Sequence, residues 1–429
     1  MVSSSAEGGV PAAGVAPQCP HACECGACQH VNEPYAQQLA RKDERMRELF
    51  AGFASARVLP ILGMEEPYRY RNKVISPYAQ GPRMDEPRKG RRAAYGKDGR
   101  RAHGSGRARA QSVPRYRILC GMYAAGTHRI VETDGCLVEN QQAKRVILTI
   151  RQIMPKFGIQ PYNEDTGAGF LRHSVVRVGH TSGEVLVTLV TNGVEFPASR
   201  AFCRELVKRC PFITTVVQNV NTRQTNVILG EREQRLYGPG FILDKLCGLS
   251  FRISSQSFYQ VNAVQTEVLY NTAVELAAFT GGERAIDAYC GTGTIGLVAA
   301  AHGAGEVIGV DSVESAIRDA RQNARHNGVE NARFVAADAG DFMRQLAAEG
   351  QYADVVLMDP PRAGSSKEFL DALALLAPSR VVYISCNPET QVRDCRRLRD
   401  HGYELQTVQP VDMFPHTDHV ETIALLSRK

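Results

Sequence analysis

The chain has 429 residues, 43% hydrophobic and 22% charged, with a formal net charge of +6. That length exceeds one small core and implies two or three domains. No apolar run approaches the ~20 residues needed to cross a bilayer, and Met1 to Pro17 lacks the positive flank and apolar centre of an export signal. A cytoplasmic protein with a disordered tail over 1–18, no membrane association and no obligatory protein partner is therefore expected, most simply a monomer.

Twelve cysteines without an export signal argue against a disulfide framework and for reduced thiols used in metal binding or catalysis. Cys19, Cys23, Cys25 and Cys28 fall within ten residues, too close for independent disulfides but able to converge on one metal centre. Four thiolates suit zinc or an iron–sulfur cluster. Only Cys25 and Cys28 form a Cys-x-x-Cys pair, so a further ligand from afar is expected, with Cys136 the best candidate. Next, the segment from Asn32 to Phe53 carries Tyr35, Leu39, Met46, Leu49, Phe50 and Phe53 on one helical face. A helix over 32–55, packing on the C-terminal domain, is predicted.

Tyr68-Arg69-Tyr70-Arg71-Asn72-Lys73 opens a region of short alternating runs, among them Ser174 to Val178, Glu184 to Val190 and Thr214 to Val220. These read as an antiparallel β-rich domain spanning 19–250. Its interleaved aromatics and cations can stack bases and contact phosphates, although the polar face of any sheet offers the same pattern. Between the runs, residues 83–117 hold 12 Lys and Arg against 3 acids, which leaves the rest of the chain net negative. Such a Gly- and Ala-rich basic insertion cannot bury a core and is expected to be disordered. It reads either as an arm that neutralises phosphates or as a solubilising surface insertion.

From 251 to 429 the pattern becomes α/β. Ile286-Asp287-Ala288-Tyr289-Cys290-Gly291-Thr292-Gly293-Thr294-Ile295-Gly296 reads as strand, glycine turn and helix start, and the next strand ends at Asp311. The glycines admit a ligand to the backbone and the acid suits ribose hydroxyls. Nicotinamide, flavin and S-adenosylmethionine enzymes share such turns. Three later features favour S-adenosylmethionine: Asp338 after a further strand, Asp359-Pro360-Pro361-Arg362 after the one following, and two added strands near Tyr403–Val411 and Thr422–Leu426. Cys386 closes the apolar run Val381 to Ser385, and Glu421 follows Asp412-Met413-Phe414-Pro415-His416-Thr417. In an open sheet, chemistry gathers at the carboxyl ends of the strands, so a thiol and two carboxylates are expected on one rim. His416 and His419 read as turn or packing residues.

With these motifs, the chain resembles the S-adenosylmethionine-dependent RNA uracil-5 methyltransferases, and within them the iron–sulfur-containing branch acting on large-subunit ribosomal RNA. Cys-Pro-His, Cys-Gly-Ala-Cys, Tyr-Arg-Tyr-Arg-Asn-Lys, Ser257-Phe258-Tyr259-Gln260-Val261-Asn262, Asp-Pro-Pro-Arg, Ser-Cys-Asn-Pro and Asp-Met-Phe-Pro-His-Thr carry the likeness. It implies a Rossmann-like, seven-stranded methyltransferase domain and a smaller antiparallel RNA-binding domain with an iron–sulfur site. It also implies Cys19, Cys25, Cys28 and Cys136 as ligands of a [4Fe–4S] cluster, with Cys23 outside the pattern. Gln260, Tyr289, Thr294, Asp311, Asp338 and Asp359 match cofactor-binding positions, Cys386 the nucleophile and Glu421 the base. The basic insertion departs from the family pattern, and only a short segment precedes Cys19, where ribosomal members often carry a small barrel. Transfer RNA is the alternative substrate, and a non-catalytic, redox-responsive RNA-binding protein the alternative class.

Overall fold

A computed structural model describes residues 17–83 and 116–429; the tail and nearly all of the basic insertion lie outside them. The first half is built on a sheet of β1 (Lys73–Arg83), β2 (Tyr116–Cys120), β3 (Leu171–Val178), β4 (Val185–Thr191), β5 (Ile213–Val220) and β6 (Arg232–Tyr237), in the order β2-β1-β3-β4-β5-β6. Valine and isoleucine dominate β3, β4 and β5, and their side chains are buried. The expected antiparallel sheet is corrected in one place. β4 and β5 run parallel, because α3 (Ser199–Arg209) carries the chain back across the sheet between them. α2 (Gln141–Ile153), held by an Asn140 cap, packs Val146, Ile147 and Ile150 on this sheet.

The second half is a doubly wound sheet of β7 (Arg284–Ala288), β8 (Glu306–Asp311), β9 (Ala332–Ala336), β10 (Val355–Met358), β11 (Arg380–Ser385), β12 (Tyr403–Val411) and β13 (Glu421–Arg428). The order is β12-β13-β11-β10-β7-β8-β9, with β13 antiparallel to both neighbours. Eight strands are present rather than seven, since Arg57–Val58 adds to β12 in parallel. Strand order reverses between β7 and β10, the position where such sheets open a crevice.

Helices cover both faces. α4 (Ala263–Ala277), α5 (Thr294–Ala301) and α6 (Glu314–His326) share one apolar core with the hairpin Ile242–Leu246/Leu249–Ile253, which spans the boundary expected at 250. The opposite face carries α7 (Ala339–Ala348), α8 (Lys367–Leu376), α9 (Pro388–Asp400) and, from the N-terminal part of the chain, α1 (Tyr35–Phe50). Met46, Phe50 and Phe53 bury the expected apolar stripe of α1 there. Its buried face also includes Gln38 and Lys42, which periodicity does not reveal. Among the described residues, no helix is long and apolar enough to cross a membrane.

Candidate active site

The carboxyl ends of β7, β8, β10 and β11 open onto a cleft of about 850 Å³, closed from the other half by Lys73 and from the side by the Ser254–Val261 segment. β-Register explains how distant residues meet there. Ser385 pairs with Thr422 in the antiparallel ladder of β11 and β13, so the next step outward sets Cys386 opposite Glu421. Met358 pairs with Tyr383 in the parallel ladder, bringing Asp359 to the same rim. The turn holding the thiol is fastened: Asn387 Nδ2 donates to the Arg362 carbonyl at 3.2 Å, and the Ser385 hydroxyl to the Asn387 carbonyl at 3.0 Å. Pro388 then starts α9, whose N-terminus Asn387 caps.

Cys386 is half-buried, and its thiol is pushed up to about 11, first by burial and then by the charges of Glu421 and Asp359. Arg362 acts in the opposite direction, as a helix N-terminus does for a thiolate. Glu421 is buried, and burial with the neighbouring Asp359 charge raises its carboxyl; burial raises Asp359 as well. Two close carboxyls under such conditions tend to hold a proton between them.

The glycine turn is shaped by close approaches. A side chain at Gly296 would meet Asp287 Oδ2 at 2.7 Å, and Gly296 N–H donates to that same oxygen at 2.7 Å. Gly293, at φ +80°, would meet Phe334 at 2.7 Å. Around Gly291 there is open space, and its N–H donates to Asp311 Oδ2 at 3.0 Å. Tyr289 takes φ +63°, a left-handed conformation costly outside glycine and typical of strained functional turns.

Of the eight expected cofactor and catalytic positions, Gln260, Tyr289, Thr294, Asp311, Asp359, Cys386 and Glu421 line this cleft. Asp338 does not. It lies two residues beyond β9, exposed, accepting from Asp341 N–H as the cap of α7, and its charge adds to the burial that raises the Tyr289 hydroxyl. Tyr270 and Lys73 were not singled out from sequence. Tyr270 stands buried beside Asp359, hydrogen-bonded to Thr294, and burial with Arg177 lowers Lys73 to about 8. No motif marks Tyr270, which is inside a helix, and the Tyr68–Lys73 motif gives no sign that Lys73 reaches a cleft in the opposite half.

Cys19, Cys25, Cys28 and Cys136 line a second, smaller pocket, while Cys23 is exposed outside it. Burial raises the Cys25 and Cys136 thiols and pushes Cys28 up to about 12. Among the described residues, no three His, Cys, Asp or Glu groups stand at single-ion spacing. Tyr68 to Lys73 connects this pocket with the cleft, a use its alternating pattern does not suggest. Tyr68 stacks on His416 with ring centres 4.9 Å apart, Tyr70 is buried and donates to the Pro415 carbonyl, Arg71 lines the thiol pocket, and Asn72 donates to the Gln260 carbonyl. His416 is a packing residue, its ring nitrogens engaged by Gln38 and the Pro67 carbonyl.

A doubly wound sheet with an antiparallel last strand, a glycine turn and a deep cleft at the switch point defines an S-adenosylmethionine-type methyltransferase fold. The tRNA (uracil-5-)-methyltransferase family model matches residues 245–429. An uncharacterized RNA methyltransferase of Halalkalibacterium halodurans is 39% identical over 414 residues, covering 96% of this chain and 83% of that protein. One from Staphylococcus aureus is 38% identical over 418 residues, covering 97% and 85%. The structure of Pyrococcus abyssi tRNA (uracil-54, C5)-methyltransferase, in complex with S-adenosyl-L-homocysteine, superimposes with a TM-score of 0.71 at 28% identity, covering 94% of this chain and 86% of that one. The chain belongs to the S-adenosylmethionine-dependent RNA uracil-5 methyltransferase family and is an RNA methyltransferase.

Proposed function

We propose that the protein methylates C5 of a uridine in large-subunit ribosomal RNA, with Cys386 as nucleophile and Glu421 as base. The observation that carries the chemistry is the placing of a half-buried thiol opposite a buried carboxyl across the β11–β13 ladder, on the rim of the cleft. Uracil C5 is too weak a nucleophile to take a methyl group unaided. Addition of the Cys386 thiolate to C6 places negative charge on C5 and O4, so that C5 becomes reactive. S-Adenosylmethionine supplies the methyl group. Glu421 then takes the C5 proton, and the returning electron pair expels Cys386 and restores the ring. One difficult step is divided into easier ones.

The open space at Gly291 and the carboxylate of Asp311 suit a nucleoside cofactor, and we assign Gln260, Tyr289, Thr294, Asp311 and Asp359 to holding it, with Asp338 at its outer end. The four thiols of the smaller pocket suit a [4Fe–4S] cluster held by Cys19, Cys25, Cys28 and Cys136. What supports this reading is that these four thiols, and not Cys23, line one pocket. The ribosomal assignment rests on the motif resemblance, and transfer RNA, the substrate in the Pyrococcus enzyme's name, is the alternative. We place an RNA-binding domain over 19–250, including the basic insertion 83–117, and the methyltransferase domain over 251–429.

Transfer of labelled methyl groups to purified ribosomal and transfer RNA tests this directly. Wild type should label 5-methyluridine in the large ribosomal RNA, and Cys386→Ala should lose at least ~10³-fold in rate with cofactor binding kept. Labelling of transfer RNA alone would transfer the substrate assignment, and substantial turnover by Cys386→Ala would remove the nucleophile.

A further inference from the structure

Lys73, Ile75 and Pro77 alternate along one face of β1, and across the ladder they meet Arg177, Val175 and His173 of β3. One end of this face belongs to the cleft: Lys73 lines it, and Arg177 donates to the Ser257 carbonyl at 2.6 Å. The other end, at Pro77 and His173, forms a wall of a second cavity of about 720 Å³. Ile75 also lines that cavity, roughly 7 Å along the strand from Lys73 at ~3.3 Å per residue.

The cavity's chemistry suits a flat, uncharged ligand. His173 is only 6% exposed, and its Nδ1 has no hydrogen-bond partner among the described residues. Burial, with the adjacent Arg172 charge, lowers this imidazole to about 4 and keeps it neutral. The Tyr123 ring stands edge-on to it at 6.2 Å, offering a stacking surface. A phosphate is poorly served. Arg172 is committed to the carbonyls of Asn221 and Arg223 and to Glu164, and His128 to Asp165. The Glu164 carboxylate itself lines the cavity.

We propose that this second cavity receives an unpaired nucleobase of the substrate RNA, a near neighbour of the target uridine, stacked on Tyr123 and packed against the His173 imidazole. This rests on the reading that the cleft takes the target uridine. An RNA enzyme that unstacks its target must hold the flanking strand open, and base–aromatic stacking is a sequence-tolerant means of doing so.

The test uses the full chain and a fluorescein-labelled unstructured RNA decamer with one central uridine among adenosines. Six further copies each lack one base, at positions one to three on either side of the uridine. Binding is read by anisotropy, independently of catalysis. For wild type, loss of the base at one flanking position should weaken binding about tenfold. Tyr123→Ala should weaken the intact decamer by a similar factor and become indifferent to that position. Val227→Asp, at the exposed rim (54% accessible), is a second variant less exposed to folding defects and should do the same. Equal binding of all decamers by wild type at any affinity, or variants that keep the wild-type pattern, would overturn the proposal. Methyl transfer on the same decamers separates the two readings: position-selective binding without methylation would count against the cleft assignment alone, and methylation without position selectivity against this one alone.

Discussion

At the scale of single residues, the site is set by burial acting against charge. Cys386 stands before a helix N-terminus, which favours a thiolate, yet burial and the two nearby carboxyls push it up to about 11. Glu421 and Asp359 are shifted upward in turn, so at neutral pH the pair retains proton and the thiol stays protonated. The sign of the pH dependence follows. Both the attacking thiolate and the free carboxylate base are deprotonated forms, and both pKa values are raised, so acid suppresses turnover and alkali restores it. Single-turnover methylation should rise with pH throughout the neutral range, by roughly tenfold per unit where one deprotonation limits the rate and more steeply where both do. A flat profile there would contradict a rate governed by these groups. Cys386 and Glu421 were legible as rim residues because one follows the apolar run of β11 and the other opens β13 directly after a dense motif. Tyr270 was not, and although Lys73 ends the Tyr68–Lys73 motif, its place at the cleft was not either, since only tertiary packing creates that cleft.

At the scale of elements, α1 acts as an outside strap on the segment that leads into Glu421. Lys42 Nζ meets Asp412 Oδ1 at 2.7 Å with both side chains buried, Tyr35 donates to Asp412 Oδ2 at 2.8 Å, and Gln38 donates to the His416 ring. His416 sits at φ +71°, a conformation that needs such external support. Removing one member of a buried ion pair strands the other charge, so Lys42→Ala should cost about 3–5 kcal/mol of unfolding free energy by denaturant titration. A loss under about 1 kcal/mol would mean that water or Tyr35 satisfies Asp412 unaided. The strands of the second half were readable as apolar runs between turns. The parallel pairing of β4 with β5 was not, because alternation reports a strand's buried face and leaves its direction open.

For the whole molecule, the Tyr68–Lys73 segment links the cysteine pocket to the cleft: Arg71 lines the first, Asn72 and Lys73 reach the second. If the pocket holds a cluster, its loss should loosen that connection. Anaerobically purified protein should contain about four iron atoms per chain, and Cys28→Ser should lose nearly all of them along with several degrees of melting temperature. Protein that never carries iron, with Cys28→Ser melting like wild type, would leave the pocket a set of packed thiols. The change from alternating to α/β pattern near residue 250 was readable, but this link depends on three-dimensional contacts that no periodicity encodes. The central claim is a transient carbon–sulfur bond at Cys386. Glu421→Gln, incubated with S-adenosylmethionine and target RNA, then nuclease-trimmed and analysed by peptide mass spectrometry, examines it most directly. The peptide containing Cys386 should carry a methylated uridine adduct; the same peptide unmodified while Glu421→Gln turns over freely would contradict it.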